Sequence, residues 1–282
     1  MCIICDKGDL EGETELDVCD EVSALPPLPD TLEVLDCQSC VLLTHLPELP
    51  AGLLTLHCGG CVRLTRLPEL PGGLRELICN LCPLREMPSL PNTLENLCCE
   101  GCEFIAGLPP LPDTLEILDC RSCALLLHLP ELPAGLLTLH CGGCVSLTHL
   151  PNLPDGLLDL CCNHCTLTEL PELPGELLTL HCQKCESLKK LPPLPDTLVS
   201  LNCQGCRLFT QLPEIPVECK IHCDGCKWLN HSGNRQLRFN IKKLNRIIKF
   251  LRARNFYRKT KKFRILFEKG LYADDINEIL NF

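Results

Sequence analysis

Residues 46–66 read LPELPAGLLTLHCGGCVRLTR, and residues 129–149 read LPELPAGLLTLHCGGCVSLTH. Two near-copies 83 residues apart make repetition the first property to follow, because a repeat fixes architecture before local propensity does. Units of this kind open at Leu25, Leu46, Leu67, Met87, Leu108, Leu129, Leu150, Leu170, Leu191 and Leu212, in steps of 20 or 21 residues. A longer period overlies the short one. LPPLPDTLE at Leu25 returns at Leu108, and LPPLPDTLV follows at Leu191, 83 residues on each time, so four units form a block. Such an array predicts a solenoid, in which each unit buries its apolar side only by stacking on its neighbours.

Each unit predicts its own path. In LPELP, apolar Leu46 and Leu49 alternate with prolines that fix φ and donate no backbone hydrogen bond, so this side is extended or polyproline II rather than helical. AG, GG, DT or NT then turns the chain. In LLTLHC, Leu56 and Cys58 point inward while Thr55 and His57 point outward, the period-two alternation of a short strand. GGC turns out of the strand, and Leu64 re-enters the core.

The pattern L-x-x-L-x-(L/C)-x-x-C-x-x-L, recurring ten times in register over about 200 residues, resembles the leucine-rich repeat family. The short period with L-P-x-L-P is most similar to the bacterial-effector subclass. The resemblance implies an α/β-type repeat: a horseshoe with a parallel concave sheet and an extended convex side. The cysteine-rich, block-duplicated array with a basic aromatic tail also resembles repeat proteins of large amoeba-infecting DNA viruses, which would imply a viral protein acting inside a host cell. The expected division is a degenerate capping segment over 1–24, ten repeats over 25–226, and a basic helical cap or tail over 227–282.

Ten Cys-x-x-Cys pairs lie in the array: Cys37/Cys40, Cys58/Cys61, Cys79/Cys82, Cys99/Cys102, Cys120/Cys123, Cys141/Cys144, Cys162/Cys165, Cys182/Cys185, Cys203/Cys206 and Cys223/Cys226. Successive pairs give C-x2-C-x17-C-x2-C, a spacing found in four-cysteine zinc sites. The repeat period alone generates that spacing, so a structural ladder of small buried side chains is the reading adopted, with no metal or cofactor expected. In the resembling family the first position is an inward apolar residue, and the second ties the loop leaving the strand. Units with CNLC and CNHC are one residue shorter before the next Leu, so register follows coil geometry rather than a metal. Disulfides between rungs are disfavoured, because parallel side chains ~4.8 Å apart exceed the usual Cβ separation. Cys98 and Cys161 fall on the outward strand position and read as solvent-facing thiols. Cys2 and Cys5 lack the remaining ligands of a RING finger before the repeats.

The outward central column runs Asp36, His57, Ile78, Cys98, Asp119, His140, Cys161, His181, Asn202 and His222. Asp36, His57, Asp119, His140, His181 and Asn202 are the candidate contacts for a protein partner, because repeat concavities present extended binding surfaces. Neutral solvation of the sheet is the competing reading of the same polar column.

The net charge of −10 hides two regions. Residues 227–282 hold 15 Lys/Arg against four acids, +11, which leaves 11 basic and 32 acidic residues, −21, for residues 1–226. Nucleic-acid or anionic-membrane association therefore belongs to the tail alone. There Ile241, Leu244, Ile247, Ile248 and Leu251 take helical spacing, with Lys242, Lys243, Arg246, Lys249 and Arg252 between them. A cap over the apolar end of the array is the favoured role, and contact with the acidic array is a third reading.

No phosphate-binding loop, dinucleotide fingerprint, HExxH or nucleophile elbow occurs, so no enzyme is expected. The start MCIICDKGDLEGETELD has neither a basic nor an apolar leader region, and no 18-residue apolar run exists. An intracellular, reducing compartment with free thiols is the expectation.

Overall fold

The computed structural model describes residues 10–209, 212–216 and 219–226. Eleven three-residue strands, β1 (Glu15–Asp17), β2 (Val34–Asp36), β3 (Thr55–His57), β4 (Glu76–Ile78), β5 (Asn96–Cys98), β6 (Ile117–Asp119), β7 (Thr138–His140), β8 (Asp159–Cys161), β9 (Thr179–His181), β10 (Ser200–Asn202) and β11 (Lys220–His222), form one sheet in sequence order. Every neighbouring pair is parallel and unslipped, so Leu35 lies beside Leu56, and Leu56 beside Leu77. The fold is a leucine-rich-repeat solenoid.

Each strand carries one inward leucine or isoleucine between two outward residues. Leu53, Leu56, Cys58, Cys61 and Leu64 are all 0% exposed, so a single coil contributes five side chains to one continuous core. Each buried leucine contributes roughly 1.5–3 kcal/mol, a gain available only once the next coil covers it. Leu46 closes the far side, with Leu49 partly buried against it. The prolines of LPELP keep this returning segment free of helix and strand, as φ restriction and the missing N–H require. Among the described residues, the core contains only apolar side chains and cysteines.

The turn leaving each strand has one recurring geometry. The residue before the second Cys of all ten pairs has positive φ, from Ser39 (60°) and Gly60 (75°) to Gly225 (81°). In the shorter units Leu84 follows Cys82 by two residues, whereas Leu64 follows Cys61 by three, and both leucines are fully buried. The deletion removes an exposed residue and preserves the core position.

The segment read as a capping half-unit supplies a strand of its own. Leu16 of β1 stacks beside Leu35, and Val18 and Val22 join the core, so the described residues form eleven strands where the pattern counted ten. Val18 aligns with Cys37 in the extended register, and Val22 accompanies it in the first coil, which hid that coil from a cysteine-based pattern. The tail with Lys242, Lys243, Arg246, Lys249 and Arg252, and the helices expected there, lie outside the described residues. Among the described residues, no helix is long and apolar enough to cross a membrane.

Candidate functional site

The cysteines form a ladder, and its bonds run between coils. Cys61 Sγ donates to the carbonyl oxygen of Cys37 at 3.1 Å, Cys82 to that of Cys58 at 3.1 Å, and Cys144 to that of Cys120 at 3.1 Å. The same link recurs through Cys102, Cys123, Cys165, Cys185, Cys206 and Cys226. The first Cys of each pair thus fills space and presents its carbonyl. The second reaches back one coil to satisfy that carbonyl, and so ties the turn leaving its strand to the coil before it. A buried peptide carbonyl needs a partner, and a small weak donor suits a space with no room for water.

The shifts along the ladder oppose one another. The neighbouring thiol of Cys82 and burial together push Cys58 well above an ordinary thiol, and the neighbouring thiol of Cys144 and burial do the same to Cys120, whereas the hydrogen bond to Cys120 lowers Cys144 against its own burial. Both positions are buried, which restricts approach by a metal ion or an electrophile. Among the described residues, no group of three or more His, Cys, Asp and Glu side chains is arranged to hold a metal ion.

The six residues expected to contact a partner stand where the alternation put them, at the third position of their strands: Asp36 on β2, His57 on β3, Asp119 on β6, His140 on β7, His181 on β9 and Asn202 on β10. Three of them, spaced 83 residues apart, have a second task. Asp36 Oδ1 accepts from the Gln38 N–H at 3.0 Å, Asp119 Oδ1 from the Arg121 N–H at 3.2 Å, and Asn202 Oδ1 from the Gln204 N–H at 3.3 Å. They cap the turn leaving the strand as well as facing the concave side.

The central coils carry a joined network. Arg121 binds Asp119 through Nε to Oδ1 (2.9 Å) and Nη2 to Oδ2 (2.7 Å), and its Nη2 also reaches Glu100 Oε2 at 2.8 Å. His140 Nε2 lies 3.2 Å from Asp159 Oδ2, and its Nδ1 lies 3.9 Å from Asp119 Oδ2. The second distance is too long for a hydrogen bond, so Asp119 acts on the imidazole by charge attraction. Asp159 also accepts from the Thr179 hydroxyl. Flanked by Asp119 and Asp159, His140 is raised to about 9 and is protonated at neutral pH. Burial pushes Asp119 upward, but the His140 imidazole and the Arg121 guanidinium outweigh it and hold the carboxyl at about 2.

One block earlier the same motif returns with a difference. His57 Nε2 lies 3.3 Å from Glu76 Oε2 and His57 Nδ1 lies 3.7 Å from Asp36 Oδ2, yet Nε2 makes no aligned hydrogen bond. His181 and Asn202 continue the column toward the C-terminal coils, outside the ion-paired set. Cys98 and Cys161, expected to face solvent, are half-buried, and burial raises both thiols. Cys161 lies between His140 and His181 in the register, but its Sγ is engaged with Asn163 Oδ1 at 2.8 Å.

Sequence reasoning missed Arg121, Glu100 and Asp159 as one network, since each looked like an ordinary flanking residue. It also missed the threonines of the DT and NT turns. Thr114 Oγ1 donates to the Asn92 and Leu94 carbonyls at 2.9 and 2.8 Å, and Thr197 bridges Gly175 and Leu177 likewise, fastening the other edge of the sheet coil to coil.

No family model and no curated protein matches the chain. Among solved structures it is similar to YopM from Yersinia enterocolitica WA-314, with 24% identity and a TM-score of 0.40 over 75% of this chain. The match spans 64% of that YopM, under two thirds of its length. It is also similar to YopM, a leucine-rich effector protein from Yersinia pestis, with 20% identity and a TM-score of 0.45 over 79% of this chain and 80% of that one. A leucine-rich repeat protein from Bacteroides ovatus gives 17% identity and a TM-score of 0.41, over 80% and 78% of the two chains. The fold assignment rests on the coil-by-coil register described above.

Proposed function

We propose that this chain is a non-enzymatic scaffold that binds a protein partner on the concave face of its solenoid. The observation that carries the reading is the network of Glu100, Arg121, Asp119, His140 and Asp159, charged side chains fixed by mutual contacts on a continuous sheet. Side chains already held in place lose little further freedom on binding, and charge placed at fixed strand spacing discriminates between partners. The half-buried thiols on this face have raised pKa values rather than the depressed ones of a nucleophile.

The test is affinity capture on full-length protein, with and without nuclease. The expected outcome is a protein retained after nuclease by the wild type, and lost in the Arg121→Ala and His140→Ala variants. Capture unaffected by those variants but abolished by nuclease or by about 0.5 M salt would overturn the concave-face reading. It would favour association of the tail, with its 15 Lys/Arg, with nucleic acid or an anionic membrane surface. The structural zinc array is tested by elemental analysis of protein purified without added metal, and a stoichiometric content would reinstate it.

A further inference from the structure

The concave face changes character along its length, from a mainly charged part in which Leu54 and Ile117 are also exposed to a mainly apolar part. The residue just before each strand forms a column at its leading edge, and coil by coil its character changes. Over β2–β6 this column and the outward strand and turn positions carry seven carboxylates, from Glu33 and Asp36 to Glu116 and Asp119. Against them stand Arg75 and Arg121, so the Asp, Glu and Arg side chains of the region sum to 2 − 7 = −5. Over β7–β10 the leading column becomes Leu137, Leu158, Leu178 and Val199. Leu137, Leu178 and Val199 are 38%, 41% and 45% exposed, and Asp159 is the one carboxylate on the corresponding positions. Backbone bonds from Leu158 N to Leu137 O, Leu178 N to Leu158 O and Val199 N to Leu178 O make the apolar strip continuous.

The chain after Cys226 has the complementary composition, in the complementary order. Leaving the array beside β11, it first brings residues 241–251, where five Ile and Leu alternate with four Lys and Arg. It then brings residues 252–264, RARNFYRKTKKFR, with seven basic side chains and no acid. A chain running back along the array would bring the apolar stretch to the strip at β10–β7 before the purely basic stretch reached the carboxylates of β6–β2. Reach does not limit this path, since 56 extended residues span roughly 180 Å and eleven strands span about 48 Å.

We propose that residues 241–264 dock on the concave face of their own chain, the apolar–basic run on coils β10–β7 and the basic run on coils β6–β2. Tethering places the segment at an effective concentration on the order of millimolar, so weak exposed ion pairs suffice to hold it. The docked segment covers the surface that the proposed function assigns to a partner, and a partner must displace it. That regulatory consequence rests on the scaffold reading; the docking itself does not.

The test uses full-length protein and no partner. Zero-length carbodiimide coupling at about 1 µM and low salt, read by mass spectrometry of the monomer, should join Lys259, Lys261 or Lys262 to Glu33, Glu95 or Glu116. It should also join Lys242 or Lys249 to Asp159. The yield should be independent of protein concentration and should fall several-fold at about 0.5 M salt. Coupling that is absent, confined to dimers, or equally frequent at Glu48, Glu131 and Glu172 on the opposite side would overturn the proposal. A second readout is tryptic cleavage of residues 241–264. The Glu33→Gln/Glu95→Gln/Glu116→Gln variant, folded by circular dichroism, should be cut several-fold faster than wild type at low salt, and equal rates would overturn docking. Absence of partner capture by the Glu33→Gln/Glu95→Gln/Glu116→Gln variant, in which the segment is released, would by contrast strike the scaffold reading alone.

Discussion

Cys144 and the Cys120 carbonyl illustrate what the residue scale contributes, because both are buried and stand 3.1 Å apart. Cys144→Ala keeps an apolar side chain but strands the carbonyl, which should lower stability by about 1–2 kcal/mol. A urea midpoint shift at unchanged m-value would read it, whereas an unchanged midpoint would mean that the thiols only fill space. His140 gives the pH prediction. Its unfolded value is about 6.5, and its folded value is raised to about 9, so the contribution is complete below the first and lost as pH rises through the second. Asp119 works in the opposite sense: its contribution is present above about 3.9 and lost as pH falls through its folded value of about 2. The pair therefore supports the fold most fully between about pH 4 and 6.5. Imidazole proton NMR should show His140 titrating well above 6.5, and Asp159→Asn should lower that value. A His140 signal unmoved by Asp159→Asn would refute the assigned cause.

At the scale of one element, the turn after the strand concentrates the constraint. Five of its ten positive-φ positions are glycine, while Ser39, Leu81, Ser122, His164 and Lys184 hold a conformation that costs an L-residue roughly 1–2 kcal/mol. The bonds between neighbouring turns, such as Ser122 N to Gly142 O at 2.7 Å, keep these residues there. Gly142 is needed for a different reason. A Cβ placed on it would lie 2.0 Å from Asn163 Oδ1, so the asparagine of the shorter unit folds over a space that only glycine leaves. Gly142→Ala should destabilise by about 1 kcal/mol, and Asn163→Ala in the same chain should recover much of that loss. Strictly additive effects in a double-mutant cycle would show no such clash. Asn80 repeats the arrangement over Gly59, but Ile78 replaces Cys161 there, and Asn80 Oδ1 is buried without a hydrogen-bond partner.

For the whole molecule, each coil depends on its neighbours, so the ends of the ladder differ from its middle. In the first coil Val18 takes the first cysteine position, and Cys40 reaches the Cys19 and Val18 carbonyls at 3.3 and 3.7 Å rather than the 3.0–3.2 Å of the later rungs. Hydrogen exchange should then be faster for the Val18 and Val34 amides than for Cys120 and Cys141, by about tenfold or more. Uniform protection along the array would mean that the solenoid opens as one unit and that the thiol bonds do not grade its stability.

The 20- and 21-residue period, the inward Leu and Cys positions and the outward Asp and His column were legible in the sequence, because side-chain alternation and stacking repeat with the chain. The first coil was not, since its valines satisfy the same core without the same letters. The thiol-to-carbonyl ladder and the Arg121–Asp119–His140–Asp159 network also lay beyond the sequence. Residues about twenty positions apart meet only when parallel strands bring adjacent coils into register, and the direction of a side chain within that contact is set by packing. Sequence determined what each coil offers; tertiary structure decided which offers meet.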